Sequence, residues 1–174
     1  MNIIVGASKP RRFKIGAALI MWWENTPASH AYTVMLTPNG KYMIFQAVGA
    51  GTQFLSYDAF LSHNIPVYEK EFQLDNTTFN ALFDKMVDKL GVKYSVKHLA
   101  GLFYKRLIQY VSNGKLIIKN PFKDQGKSAI CVEALLMVID ESKIKRDAED
   151  PEDMGMFEAL KLLRSLPGRE LING

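Results

Sequence analysis

The chain has a single cysteine, Cys131, set in the apolar run Lys127-Ser-Ala-Ile-Cys-Val-Glu-Ala-Leu-Leu-Met-Val-Ile139. The run reads as a helix whose start Ser128 can cap, leaving Cys131 in the first turn. There the unpaired amides and the positive end of the helix dipole favour a thiolate, and neighbouring N–H groups can stabilise an oxyanion. An inert core thiol is the ordinary fate of such a residue. Against it, the apolar residues lie mostly after Cys131, whereas Lys123-Asp-Gln-Gly-Lys-Ser128 before it is polar, which puts the sulfur at the helix mouth. A nucleophile there needs a base.

The candidate bases are His30, His63 and His98. His30 opens the clearest local signal in the N-terminal half. His30-Ala-Tyr-Thr-Val-Met-Leu36 reads as a strand, Pro38-Asn-Gly40 as a turn, and Lys41-Tyr-Met-Ile-Phe-Gln-Ala47 as a second strand. A two-residue Asn39-Gly40 loop puts His30 and Gln46 on opposite faces. A three-residue loop, with Gly40 left-handed in a G1 bulge, sets Thr37 against Lys41 and Tyr32 against Gln46. His30 and Gln46 then become diagonal neighbours on one face, and this register is the one expected. His98 falls on an expected helix and His63 beside a loop, so either is a competing base. No pair of histidines has ligand spacing, and no metal or cofactor is expected.

Composition narrows the class. The 174 residues suit one domain spanning 1–174, with ordinary apolar and charged fractions that exclude disorder, collagen and coiled coil. One cysteine excludes a disulfide framework and a cysteine-based zinc site. The net charge of +4 arises from scattered Lys and Arg, densest in Lys9-Pro-Arg-Arg-Phe-Lys14. An anionic surface can bind at Lys9, Arg11, Arg12 and Lys14, but no signature of specific nucleic-acid recognition accompanies them. The segment from Arg11 through Ala31 imitates the three parts of a signal peptide. Its apolar stretch is too short to span a bilayer, and Met1–Pro10 ahead of it is unusual for a leader. A buried helix and a cytoplasmic protein are expected.

The other elements follow in order. Asn2–Val5 reads as a short strand followed by a loop through Pro10, and Lys14–Glu24 as a helix carrying Trp22 and Trp23. Val48-Gly-Ala-Gly51 bends the chain and is a poor phosphate loop. Thr52–Leu55 reads as a strand, Ser56–Leu61 as a helical turn and Ile65–Phe72 as a strand. Asp75 caps a helix with Phe79, Leu82, Phe83, Met86, Val87 and Leu90 on its core face, closed by Gly91. Val96–Val111 is a further helix, and Asp150-Pro-Glu-Asp153 opens a last one to Leu166.

The ordered motifs resemble a known family. They are a helix feeding Ser29-His30, a polar residue in Phe45-Gln-Ala47, Gly91-Val-Lys-Tyr94, the Cys131-Val-Glu133 helix start and the Asp150-Pro-Glu-Asp153 helix. Histidine before cysteine is the order of the circularly permuted NlpC-type papain-like hydrolases, which include YiiX-like bacterial proteins and relatives of lecithin–retinol acyltransferase. The resemblance covers about residues 15 to 166. Val132 stands where bacterial members often have Ser, and Gln46 where Glu or His is usual.

The resemblance implies an α+β, permuted papain-like fold, with a small antiparallel sheet or partial barrel packed against helices. It also implies a Cys–His mechanism. Cys131 attacks an acyl carbon, His30 takes and returns the proton, and Gln46 holds the imidazole. The Cys131 amide and Tyr94 hydroxyl stabilise the oxyanion, and Trp22 and Trp23 border the cleft. The expected function is cleavage of an amide or isopeptide bond through an acyl-thioester. The alternatives are a lipid acyl hydrolase or acyltransferase, and a catalytically silent binding protein. The partner expected is a peptide or acyl-bearing substrate; oligomeric state is not legible in the sequence.

Overall fold

The protein is α+β. The computed structural model describes residues 1–37, 39–113, 115–116, 118–122, 131–141 and 153–173. Along the chain these form β1 (Asn2–Pro10), α1 (Ile15–Trp23), β2 (His30–Leu36), β3 (Tyr42–Val48), β4 (Gly51–Ser56) and α2 (Tyr57–His63). There follow β5 (Asn64–Gln73), α3 (Asn76–Asp88), α4 (Val96–Val111), α5 (Cys131–Glu141), α6 (Met156–Ser165) and β6 (Arg169–Asn173). Among the described residues the strands make one open antiparallel sheet in the order β4-β3-β2-β1-β5-β6, without closure into a partial barrel.

Alternation along the central strands serves both faces. Ile3, Val5 and Ala7 of β1 and Ala31 and Met35 of β2 join the main core with α3, α5 and α6. Tyr32, Val34 and Ile44 face the other way, into a smaller core closed by Phe60 of α2. Gly6 sits between Tyr32 and Glu69 in the register. The Tyr32 ring crosses it, and its hydroxyl donates to Glu69 Oε1 at 2.6 Å. A Cβ on residue 6 would lie 2.5 Å from Tyr32 Cζ, so the strand needs glycine there for space. The expected loop from residue 6 to Pro10 is therefore strand: Gly-Ala-Ser reads as a turn until a ring needs room above it.

Other expectations shift for similar reasons. The β2–β3 turn has the three-residue register, with Thr37 N–H donating to Lys41 C=O and Gly40 at φ +75°; Pro38 lies outside the described residues. The last helix starts at Met156 rather than at Asp150-Pro-Glu-Asp153, of which only Asp153 is described. Two distant side chains bracket it: the buried Glu24 carboxylate accepts from Phe157 N–H at 2.8 Å, and the buried Lys70 ammonium donates to Leu166 C=O at 2.7 Å. Both charges oppose the helix dipole end they meet. The edge strand β6 had no forecast, because five residues after Pro167-Gly168 carry too little pattern. The α1 helix forms but has no buried residue, which corrects the expected buried helix. Among the described residues no helix is long and apolar enough to cross a membrane.

Candidate active site

Cys131 opens the described part of α5 and is 5% exposed. The helix is seated on the sheet by Val132, Ala134, Leu135, Leu136, Val138 and Ile139. A hydrogen bond from Thr33 Oγ1 to Ala134 C=O, 2.9 Å, sets its position along β2. Ser128, the expected cap, lies outside the described residues. The β2–β3 ladder stops at Thr33–Phe45, so the Ala31 N–H has no β3 partner. The Ala31 amide and the Tyr94 hydroxyl lie near the Cys131 sulfur, close enough to favour its thiolate form.

Tyr94 is held there by its loop. Thr52 N–H donates to Val92 C=O, Gly91 N–H to Thr52 C=O, and Val92 N–H to Thr52 Oγ1, each at 3.0 Å. Gly51, at φ +113°, lets the loop come this close, since a Cβ there would lie 2.8 Å from the Val92 oxygen. The bend Val48-Gly-Ala-Gly51 thus serves a tight contact with the segment that carries Tyr94.

His30 is half-buried, and its Nε2 lies 2.7 Å from Gln46 Oε1. An amide oxygen only accepts, so Nε2 carries the proton and Nδ1 keeps the lone pair. The ring sits 6.4 Å from that of Phe60. Burial, with the positive charge of Lys14, brings its pKa down to about 4 against the opposing effect of Gln46. The imidazole is neutral across the physiological range.

The thiol moves the other way. Burial raises its pKa, the donors Ala31, Tyr94 and Val132 lower it, and the nearby Glu24 carboxylate raises it. The net shift is upward, against the thiolate that the sequence suggests: withdrawal from water outweighs the three donors. Thiol and imidazole approach the same stretch of β2 from two directions. The thiol lies with Ala31 in the main core, the ring stands beside Phe60 of α2 one residue earlier, and no hydrogen bond joins them.

His30, Gln46 and Tyr94 share the wall of one cavity of about 530 Å³, lined also by Lys14, Ile20 and Leu55. His63 borders it too, with its Nδ1 beside Ser62 Oγ at 2.6 Å. His98 is buried in α4, away from this cavity. Trp22 and Trp23 line a separate groove with Arg106, Tyr110 and Phe157. Sequence reasoning missed two contributors, the Ala31 amide and Glu24. A backbone amide leaves no trace in residue type. Glu24 had only one signal, a carboxylate ending a helix otherwise free of charge.

The site and fold define an antiparallel α+β protein with a buried thiol beside a histidine-lined cavity. No protein-family model matches the chain, and no curated protein matches it.

Proposed function

We propose that the chain is a thiol hydrolase with a permuted papain-like fold, cleaving an amide or isopeptide bond at the cavity between β2, β3 and the Tyr94 loop. The observation that carries this reading is that Tyr94, whose hydroxyl lies near the Cys131 sulfur, shares a cavity with the hydrogen-bonded pair His30 and Gln46. In this reaction the thiol and imidazole, unjoined at rest, must come within reach as substrate binds; Sγ then adds to the carbonyl carbon as its proton passes to His30 Nδ1. The carbonyl electrons move onto oxygen, facing the amides and the Tyr94 hydroxyl near the sulfur. Collapse breaks the C–N bond, and Nδ1 returns the proton to the leaving amine. Water then cleaves the thioester, regenerating thiol and imidazole. Both groups are neutral at rest, so the ion pair forms only as substrate displaces water and the Tyr94 hydroxyl.

A lipid acyl substrate is the second reading, favoured by the apolar wall of Ala17, Ile20, Leu55 and Phe60. A silent binding protein is the third, favoured by the raised thiol pKa and the missing Cys–His hydrogen bond. The test is acylation by p-nitrophenyl acetate, followed by intact mass. The expected result is a burst with one acetyl group on Cys131, absent in Cys131→Ala and slowed about 10²-fold or more in His30→Ala. No acetylation, or equal rates with and without His30 in folded protein, rejects the catalytic reading.

A further inference from the structure

The outer side of α1 has no function in the chemistry above. Ile15, Leu19 and Trp22 recur at i, i+4 and i+7 and are 70%, 50% and 74% exposed, with Phe13 just ahead at 82%. A solvated helix puts charge on such a stripe, but residues 15–23 contain none. The patch continues across the adjoining groove to Tyr110, which is 82% exposed. Arg11, Arg12 and Lys14 lie exposed at the N-terminal end of the same helix, with Lys9 shortly before. Cations are disfavoured at that end by the helix dipole, so the dipole does not account for them.

An apolar stripe with an exposed tryptophan, beside a cluster of cations, matches the two layers of an anionic bilayer surface. We infer that α1 docks on anionic phospholipid membranes, lying in the interface with Phe13, Ile15, Leu19 and Trp22 inserted and the basic residues among the headgroups. The other side of the helix supplies Ala17 and Ile20 to the His30 cavity, and Lys14 at the helix start borders both the cavity and solvent. This inference does not depend on the reactivity of Cys131.

The test is co-sedimentation of the full chain with phosphatidylcholine vesicles with and without phosphatidylglycerol, read alongside tryptophan emission. Binding is expected only with the anionic lipid, with blue-shifted emission quenched by brominated acyl chains and weakened by salt. Each basic residue strengthens binding about fivefold, so Arg11→Gln with Arg12→Gln should weaken it about 25-fold. Leu19→Glu should abolish it, with circular dichroism unchanged in both variants. Equal binding to neutral vesicles, no binding, or wild-type binding by the variants overturns the inference. So does a dimer by light scattering that Leu19→Glu converts to monomer, which would make a second copy the occupant.

Discussion

Two helices of this protein are built from nearly the same alphabet and have opposite fates. Ile15-Gly-Ala-Ala-Leu-Ile-Met-Trp-Trp23 is the more apolar of the two, yet no residue of α1 is buried. Cys131-Val-Glu-Ala-Leu-Leu-Met-Val-Ile139 sits against the sheet with six of its apolar residues in the main core. Topology explains the difference. The connection carrying α1 joins β1 to β2, which are adjacent and antiparallel, so it leaves and returns at the same end of the sheet. A nine-residue helix there stays at the strand ends, while α3, α5 and α6 occupy one face and α2 the other. Hydrophobicity drives burial only where a face is left to cover.

Paired truncations provide the sharpest test of that contrast. Leu135→Ala in α5 should cost about 2–5 kcal/mol of unfolding free energy, as a large side chain lost from a packed core. Leu19→Ala in α1 should cost less than about 0.5 kcal/mol. Similar losses in urea unfolding would break the comparison.

His30 stands where the two regions meet, and pH reads its surroundings. Its folded pKa of about 4 lies below the ordinary 6.5, so the unfolded chain takes up the proton first. The stability it contributes is full above about pH 6.5 and is lost as pH falls toward 4, by up to about 3 kcal/mol. Urea unfolding across that window should show the loss, and His30→Gln should flatten it. An NMR titration midpoint near 6.5 in the native protein would contradict the burial assigned here.

A smaller effect than that of His30 concerns the point where the α1 segment is anchored. Glu24 follows α1 and accepts from the first turn of α6, so Glu24→Ala should cost about 1–2 kcal/mol as a lost cap. It should also ease thiol ionisation, because the carboxylate raises the Cys131 pKa. Alkylation of native Cys131 by iodoacetamide should then rise at a lower pH than in the wild type. An unchanged profile would place Glu24 outside the field of the sulfur.

Local pattern was enough for most of the elements and for one feature of the site. The Pro38-Asn39-Gly40 spacing selects a register, and that register alone places His30 diagonal to Gln46, where the 2.7 Å hydrogen bond is found. Helix periodicity marked α3 through Phe79, Leu82 and Met86, although Phe83, Val87 and Leu90 of the same stripe remain partly in solvent. These signals are short-range, since a turn type or a 3.6-residue period is complete within a dozen residues.

What sequence by itself determined is a chain with one thiol on an apolar helix and one imidazole at a strand start, paired with an amide two strand positions away. Tertiary structure decided the electrical state of both. The thiol pKa rises and the imidazole pKa falls because other elements exclude water from them, and Glu24 and Lys14 reach them across the fold. It also decided that the most apolar helix would face outward. Desolvation and free sheet area are properties of the assembled molecule, set by which distant segments cover each face, and no local spacing encodes them.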